Sequence, residues 1–179
     1  QDNPRHVKSF LPFLQRYRAQ ETSTEYLCEL DPLDFNPTCK PWPVRRASMA
    51  DFDALCRFYA DAGHMSRTPR AVERPLQAGR VFITEVENQI VSSVLTNAET
   101  STLAMIGGVF TPPAHRGKGY ASAAMVALCR SLIDDGIRPV LYYDNPAAGG
   151  IYRRLGFKDL GLWKSVRLTR REISKPGNQ

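Results

Sequence analysis

The sequence predicts an α+β domain built on a mixed, mostly antiparallel central sheet flanked by helices. Three observations carry this. Two β-rich runs, 81–86 and 90–95, are parted by Glu87-Asn88-Gln89, and a third occupies 102–111; connections this short make antiparallel neighbours. After the third run the chain changes character, with a long Ala-rich helical stretch, a strand at 140–143 and another helix. The chain has 179 residues, 42% of them hydrophobic and 23% charged, which suits one compact domain with an extra arm and excludes two full-sized catalytic domains.

In chain order, Val7, Phe10, Leu11, Leu14 and Tyr17 have helix-like spacing over 4–18, interrupted by Pro12, and a short apolar stretch follows at 26–30. Residues 31–43 hold four prolines with Phe35 and Trp42 and read as an ordered connector. The expected organisation is therefore an N-terminal extension or remnant of an extra domain over 1–42, a main domain over 43–170 and a mobile tail over 171–179. Residues 44–47 suit a short strand. Ser48 can cap a helix whose apolar positions Phe52, Leu55, Cys56 and Tyr59 lead to Gly63. Thr68-Pro69 opens a second helix, which Pro75 is expected to end or bend before Gly79. Beyond the three-strand meander, a helix over 120–133 stops at Asp134-Asp135-Gly136, strand 140–143 follows, and Asn145-Pro146 caps the last helix. Alternation at Trp163, Val166 and Leu168 makes 157–168 the final strand.

No run reaches the roughly 18 apolar residues of a spanning helix, and the start lacks the charged-then-apolar order of a signal peptide, so a cytoplasmic location is expected. Cys28, Cys39, Cys56 and Cys129 are widely spaced without a C-x-x-C pair, and His6, His64 and His115 add no local ligand spacing; reduced thiols and no metal are the expectation. Charge divides unevenly. Residues 1–44 carry five Lys or Arg against six Asp or Glu, and 45–179 carry nineteen against twelve. That excess suits an anionic partner, whether a nucleotide-bearing cofactor, an acidic substrate or nucleic acid.

The strongest chemical signal joins the strand Ile106-Gly107-Gly108-Val109-Phe110 to a loop and then to Arg116-Gly117-Lys118-Gly119-Tyr120-Ala121, which opens the long helix. Glycines uncover backbone N–H groups, and a helix start supplies free donors with partial positive charge. Arg116 and Lys118 reinforce this cradle for an anion such as pyrophosphate. A Walker A loop fails, because Pro112 stands where its first glycine belongs and Lys118 precedes Gly119 instead of Ser or Thr. A dinucleotide fingerprint is weak, since Ser122 replaces its last glycine and no βαβ unit precedes it.

Arg116-x-x-Gly119-x-Ala121 resembles the R/Q-x-x-G-x-G/A signature of the GNAT superfamily of N-acetyltransferases. The segment from Asn145 through Ala148 and Tyr152 to Gly156-Phe157 is similar to that family's second motif. The resemblance is specific over 102–162 and implies a GNAT-like sheet splayed around an acyl-CoA site. It implies acetyl-CoA as acyl donor, with pyrophosphate on the amides of Arg116, Gly117, Lys118, Gly119, Tyr120 and Ala121 and the pantetheine arm beside Val109, Phe110 and Thr111. It also implies that Asn145 contacts the cofactor and that Tyr152 protonates the departing thiolate. N–H donors near Val109 and Phe110 would stabilise the tetrahedral oxyanion, and Gly107-Gly108 suits a bulge that frees them.

Where many family members carry a strand glutamate as base, this chain has Leu103-Ala104-Met105. Glu99 is the first substitute, with Glu85, Asp144 and His115 as others. Arg67, Arg70 and Arg74 are candidates for holding an acceptor carboxylate. The acceptor is a small amine, an amino acid or a peptide, with no membrane partner. Two other readings remain open: a non-catalytic CoA-binding regulatory module, prompted by the missing glutamate, and a basic nucleic-acid-binding domain, prompted by nine Lys or Arg against three Asp or Glu over 138–175. No recognised nucleic-acid motif supports the second.

Overall fold

Alternating side chains along the strands supply two apolar faces, and a computed structural model describing residues 11–171 gathers them into one seven-stranded sheet. The strands are β1 (Tyr17–Glu29), β2 (Val44–Arg46), β3 (Val81–Val86), β4 (Gln89–Glu99), β5 (Leu103–Phe110), β6 (Arg138–Tyr143) and β7 (Lys158–Arg170). The helices are α1 (Phe52–Ala60), α2 (Pro69–Gln77), α3 (Tyr120–Asp134) and α4 (Pro146–Leu155). Sheet order is β2-β3-β4-β5-β6-β1-β7, antiparallel throughout except for the parallel pair β5–β6. The mixed, mostly antiparallel sheet read from the sequence is thus present.

The meander β3–β4–β5 forms for the reasons its sequence suggests. Glu87 and Asn88 adopt φ of +50° and +61°, the left-handed pair of a two-residue hairpin turn whose twist matches its strands. In β3, Val81 and Ile83 face α1 and α2, joining Leu55, Tyr59, Val72, Leu76, Leu95 and Phe110 in one core cluster. Phe82 points the other way, into a larger cluster with Val94, Ile106 and the Ala-rich α3. Small residues on α3 let it approach the sheet closely, and Leu128 and Leu132 are completely buried beneath it. The central strands are therefore covered on both faces, giving three layers. Among the described residues no helix is long and apolar enough to cross a membrane.

One local expectation fails, and a second holds in a modified form. The helix-like spacing over 4–18 does not make a helix where it is described: residues 11–13 form one 3-10 turn and Tyr17 already begins β1. Residues 1–10 lie outside the described part. Long-range pairing overrides the local pattern, because β1 takes Tyr26–Glu29 to β6 and most of its length to β7. Pro75 does not stop α2 at its own position, but the helix runs only two residues further, to Gln77, and so ends before Gly79 as expected. The proline sits one turn from the helix end, where its missing N–H removes a single ladder bond, and its own carbonyl accepts from the Arg80 amide at 2.8 Å. The predicted tail beyond residue 171 lies outside the described residues.

Candidate functional site

The site begins where two strands part. β5 pairs with β6 only at Leu103–Arg138, Ala104–Pro139 and Met105–Val140. β5 then stays with β4 while β6 stays with β1, so the β5 edge from Ile106 to Phe110 has no strand beside it. Continuing the register places Gly107 level with Tyr142 and Gly108 level with Tyr143 across the opening. The β4 side of β5 is also irregular: Leu95 pairs with Gly107 but Ser93 pairs with Phe110, so Gly108 and Val109 together face Val94. This is the bulge that Gly107-Gly108 suggested.

Gly108 has φ +57°, a conformation other residues adopt only with strain. Tyr59 donates its hydroxyl to the Gly108 carbonyl at 2.6 Å, and a Cβ on Gly108 would stand 2.7 Å from Arg67 Nε. At the strand's end, Ser92 Oγ donates to the Phe110 carbonyl at 3.3 Å and lies 2.8 Å from Thr111 Oγ1.

Thr111 leads into the glycine loop, and Arg116 Nε donates back to the Thr111 carbonyl at 3.0 Å. Gly119 stands at φ +92° as the residue before α3. That helix has no side-chain cap and no acid in its first turn, whereas α2 and α4 are capped by Thr68 and Asn145. Its leading N–H groups, over Tyr120 and Ala121, are left for an external acceptor. Gly117 and Lys118 are exposed. The connector over 31–43 buttresses the loop: Trp42 Nε1 donates to the Lys118 carbonyl at 2.9 Å, and its ring meets Tyr120 edge-on at 4.6 Å.

The far wall comes from α4. Asn145 accepts the Ala147 amide at 2.9 Å and so serves as the helix cap. Tyr152 is 6% exposed, with its ring 5.5 Å from Tyr143 and 6.0 Å from Phe157. No hydrogen bond to another described residue engages its hydroxyl. Burial, with Cys28 and Tyr143 nearby, pushes this phenol up to about 12. Tyr143 is itself held by Arg153, which donates to its hydroxyl at 2.7 Å, and by Asp159 at 3.2 Å.

The structure does not bring Glu99 to the opening. Glu99 pairs with Ala104 and Ser93 with Phe110, so roughly 20 Å of strand separates Glu99 from the bulge end. Its carboxylate receives Arg80 at 3.1 Å and Thr96 at 2.7 Å, and Arg80 also reaches Asp135 at 2.6 Å. Glu99 thus ties the end of β4 to the end of α3. Replacing Glu99 by Gln is expected to cost about 1 kcal/mol of stability in urea unfolding and to leave kcat unchanged; a loss of kcat at normal stability would restore it as the base. Glu85 is engaged by Arg45 at 2.6 Å, and His115 sits in the loop 6.3 Å from Tyr120. Among the described residues no group of His, Cys, Asp and Glu is arranged to hold a metal ion.

Two residues near this opening could not be singled out from sequence, for different reasons. Glu25, on β1, follows the Tyr26–Tyr143 pair outward and so stands beside Asp144 at the end of β6, one strand beyond the opening. Burial raises its carboxyl, partly offset by a hydrogen bond from Ser165, and Asp144 raises it further. Nothing in the local sequence marks it, since its place depends on β1 entering the sheet. Arg67 was one of three candidate cations, and it alone reaches the bulge, with its guanidinium 5.6 Å from the Tyr59 ring.

Residues 46–157 match the sequence model of a family described as Acetyltransferase (GNAT) family. No curated protein matches the chain in sequence. Among solved structures, an acetyltransferase from the GNAT family from Colwellia psychrerythraea is similar in fold at TM-score 0.69 and 11% identity, over 90% of this chain and 61% of its own. A GCN5-related N-acetyltransferase from Kribbella flavida is similar at TM-score 0.65 and 20% identity, over 92% of this chain and 64% of its own. The chain therefore spans under two thirds of both. A Mycobacterium tuberculosis protein solved in complex with CoA and NLQ is similar at TM-score 0.51 and 19% identity, over 60% of this chain and 70% of its own.

Proposed function

Because residues 46–157 carry its sequence, the chain belongs to the GNAT acetyltransferase family, and we propose that it is an N-acetyltransferase moving an acetyl group directly from acetyl-CoA to an amine. The observation that carries this reading is the junction of an uncapped helix start, behind a glycine loop, with an open and bulged strand edge. Pyrophosphate suits the first and a thioester the second, and both lie on one continuous segment from Gly107 to Ala121. Arg116 and Lys118 add positive charge, and Val109 to Thr111 offer backbone to the pantetheine arm.

The neutral amine attacks the thioester carbonyl carbon, so that a C–N bond forms while negative charge gathers on oxygen. Backbone N–H groups of the bulge at Val109 and Phe110 receive that charge. Collapse breaks the C–S bond, and the electron pair leaves with sulfur. Tyr152 gives its phenolic proton to that thiolate and recovers one from solvent, which its high pKa favours at neutral pH. The proton lost by nitrogen passes to Glu25 through water, since the raised carboxyl is a better acceptor than an ordinary surface glutamate. The acceptor class is an amine carried by a small molecule, an amino acid or a peptide.

Calorimetric titration with acetyl-CoA and separately with NAD tests the cofactor, and release of free CoA thiol with a panel of amines tests transfer. Saturable binding of acetyl-CoA alone, followed by amine-dependent thiol release, is the expected result. Binding of NAD, or of neither, would sink the reading; binding without turnover on any amine would favour a regulatory module.

A further inference from the structure

We infer that Arg67 anchors a carboxylate of the acceptor, so that the amine acetylated is the amino group of a free amino acid. This rests on the acetyl-transfer reading above. Arg67 lies in the link between α1 and α2 and reaches back onto β5. Its Nη2 donates to Asn97 Oδ1 at 2.8 Å, while Nε and Nη2 lie so close to Gly108 that a Cβ there would meet them at 2.7 and 3.0 Å. Asn97 is itself folded over Gly107, where a Cβ would collide with its amide. The guanidinium is thus positioned by a glycine pair, an amide and the Tyr59 ring.

What it lacks is an anion. Among the described residues no carboxylate pairs with Arg67, and its Nε is sealed without a hydrogen-bond partner. Burial lowers the Arg67 guanidinium from its ordinary value, with Tyr59 and Tyr142 as its only resolved electrostatic neighbours. A desolvated guanidinium without a counter-ion is unfavourable, and with Nε sealed and Nη2 on Asn97 its terminal Nη1 is the donor left to face a carboxylate.

The place of this cation sets the chemistry of the acceptor. Gly108 belongs to the bulge that offers N–H donors to the thioester, so an anion on Arg67 sits within a few bonds of the reacting carbon. An amine and a carboxylate on neighbouring carbons meet that requirement, whereas a peptide N-terminus carries a neutral amide at the corresponding position. On the same face of the sheet, Tyr142 stacks with Trp163 at 6.4 Å and 9°, a wall against which an amino-acid side chain can pack.

The test compares the twenty common amino acids with their C-terminal amides and decarboxylated amines, reading thiol release with acetyl-CoA. For the best amino acid, kcat/KM should exceed that of its amide by roughly tenfold or more, and Arg67→Ala should bring that ratio down to about one by raising KM for the acid. Arg67→Lys, which keeps the charge without the fork, should retain part of it. Equal rates for acid and amide overturn the inference, as does a ratio unmoved in a folded Arg67→Ala; if that variant does not fold, the wild-type ratio and Arg67→Lys decide. Failure to bind acetyl-CoA would sink the underlying reading instead, while binding it and acetylating none of the twenty overturns this inference alone.

Discussion

Replacing Tyr152 by Phe is expected to lower kcat by roughly a hundredfold, within the range general acids contribute, while acetyl-CoA affinity by calorimetry stays within about twofold. The ring is buried between Tyr143 and Phe157, and phenylalanine keeps that packing. Only the hydroxyl is lost, and no described residue depends on it for a hydrogen bond, so the stability change is small. The pH profile gives a second readout. A phenol pushed up to about 12 keeps its proton through the whole range below about pH 10, so the wild-type rate should show no decline on the basic side from this group. Weaker binding of acetyl-CoA with normal kcat would remove Tyr152 from the role of acid and make it part of the cofactor wall.

Gly119→Val is expected to reduce acetyl-CoA affinity by roughly 100-fold, with catalytic loss following at subsaturating donor. Gly119 occupies φ +92°, where a β-branched residue is strained, at a cost of about 1–2 kcal/mol or more. A chain that relieves the strain reorients the amides of the loop away from the phosphate. A chain that endures it sets two methyl groups beside Lys40 and Trp42, which lie 3.7 Å from the Cβ position. Either route removes one or two charge-assisted hydrogen bonds, each worth about 1.5–3 kcal/mol, and that loss exceeds the tenfold equivalent of about 1.4 kcal/mol. Normal affinity in this variant would place the pyrophosphate elsewhere.

The central part of the molecule was legible because its signals are local. A two-residue turn, a cap followed by proline, and glycines at a strand-to-helix junction each dictate structure within a few residues, and β3 to α4 follow them closely. Tyr152 and the glycine loop also stand on the elements their motif spacing implies, a helix and the turn before one. What stayed hidden depends on partners distant in the chain. The strand character of β1 comes from β6 and β7, and with it the position of Glu25. Trp42 marked an ordered connector, but its bond to the Lys118 carbonyl has no sequence counterpart. Glu99 was attractive as an acid near a strand end, yet its service to Arg80 follows from which end of the β4–β5 pair faces the opening. Of the three arginines in the charged α1–α2 region, sequence alone could not single out the one that the bulge receives.

The sheet order also constrains how the chain is made. β1 precedes the other described strands in the chain but lies between β6 and β7, the last two, so Tyr26 must wait for Tyr143 before either has its neighbour. On the ribosome the meander, α1, α2 and α3 can close around their own contacts while β1 remains an unpaired ribbon with both edges open. Topologies with such distant pairings fold slowly and leave strand edges exposed to other chains meanwhile. The slot between β6 and β7 that receives β1 is then the last part of the sheet to be completed.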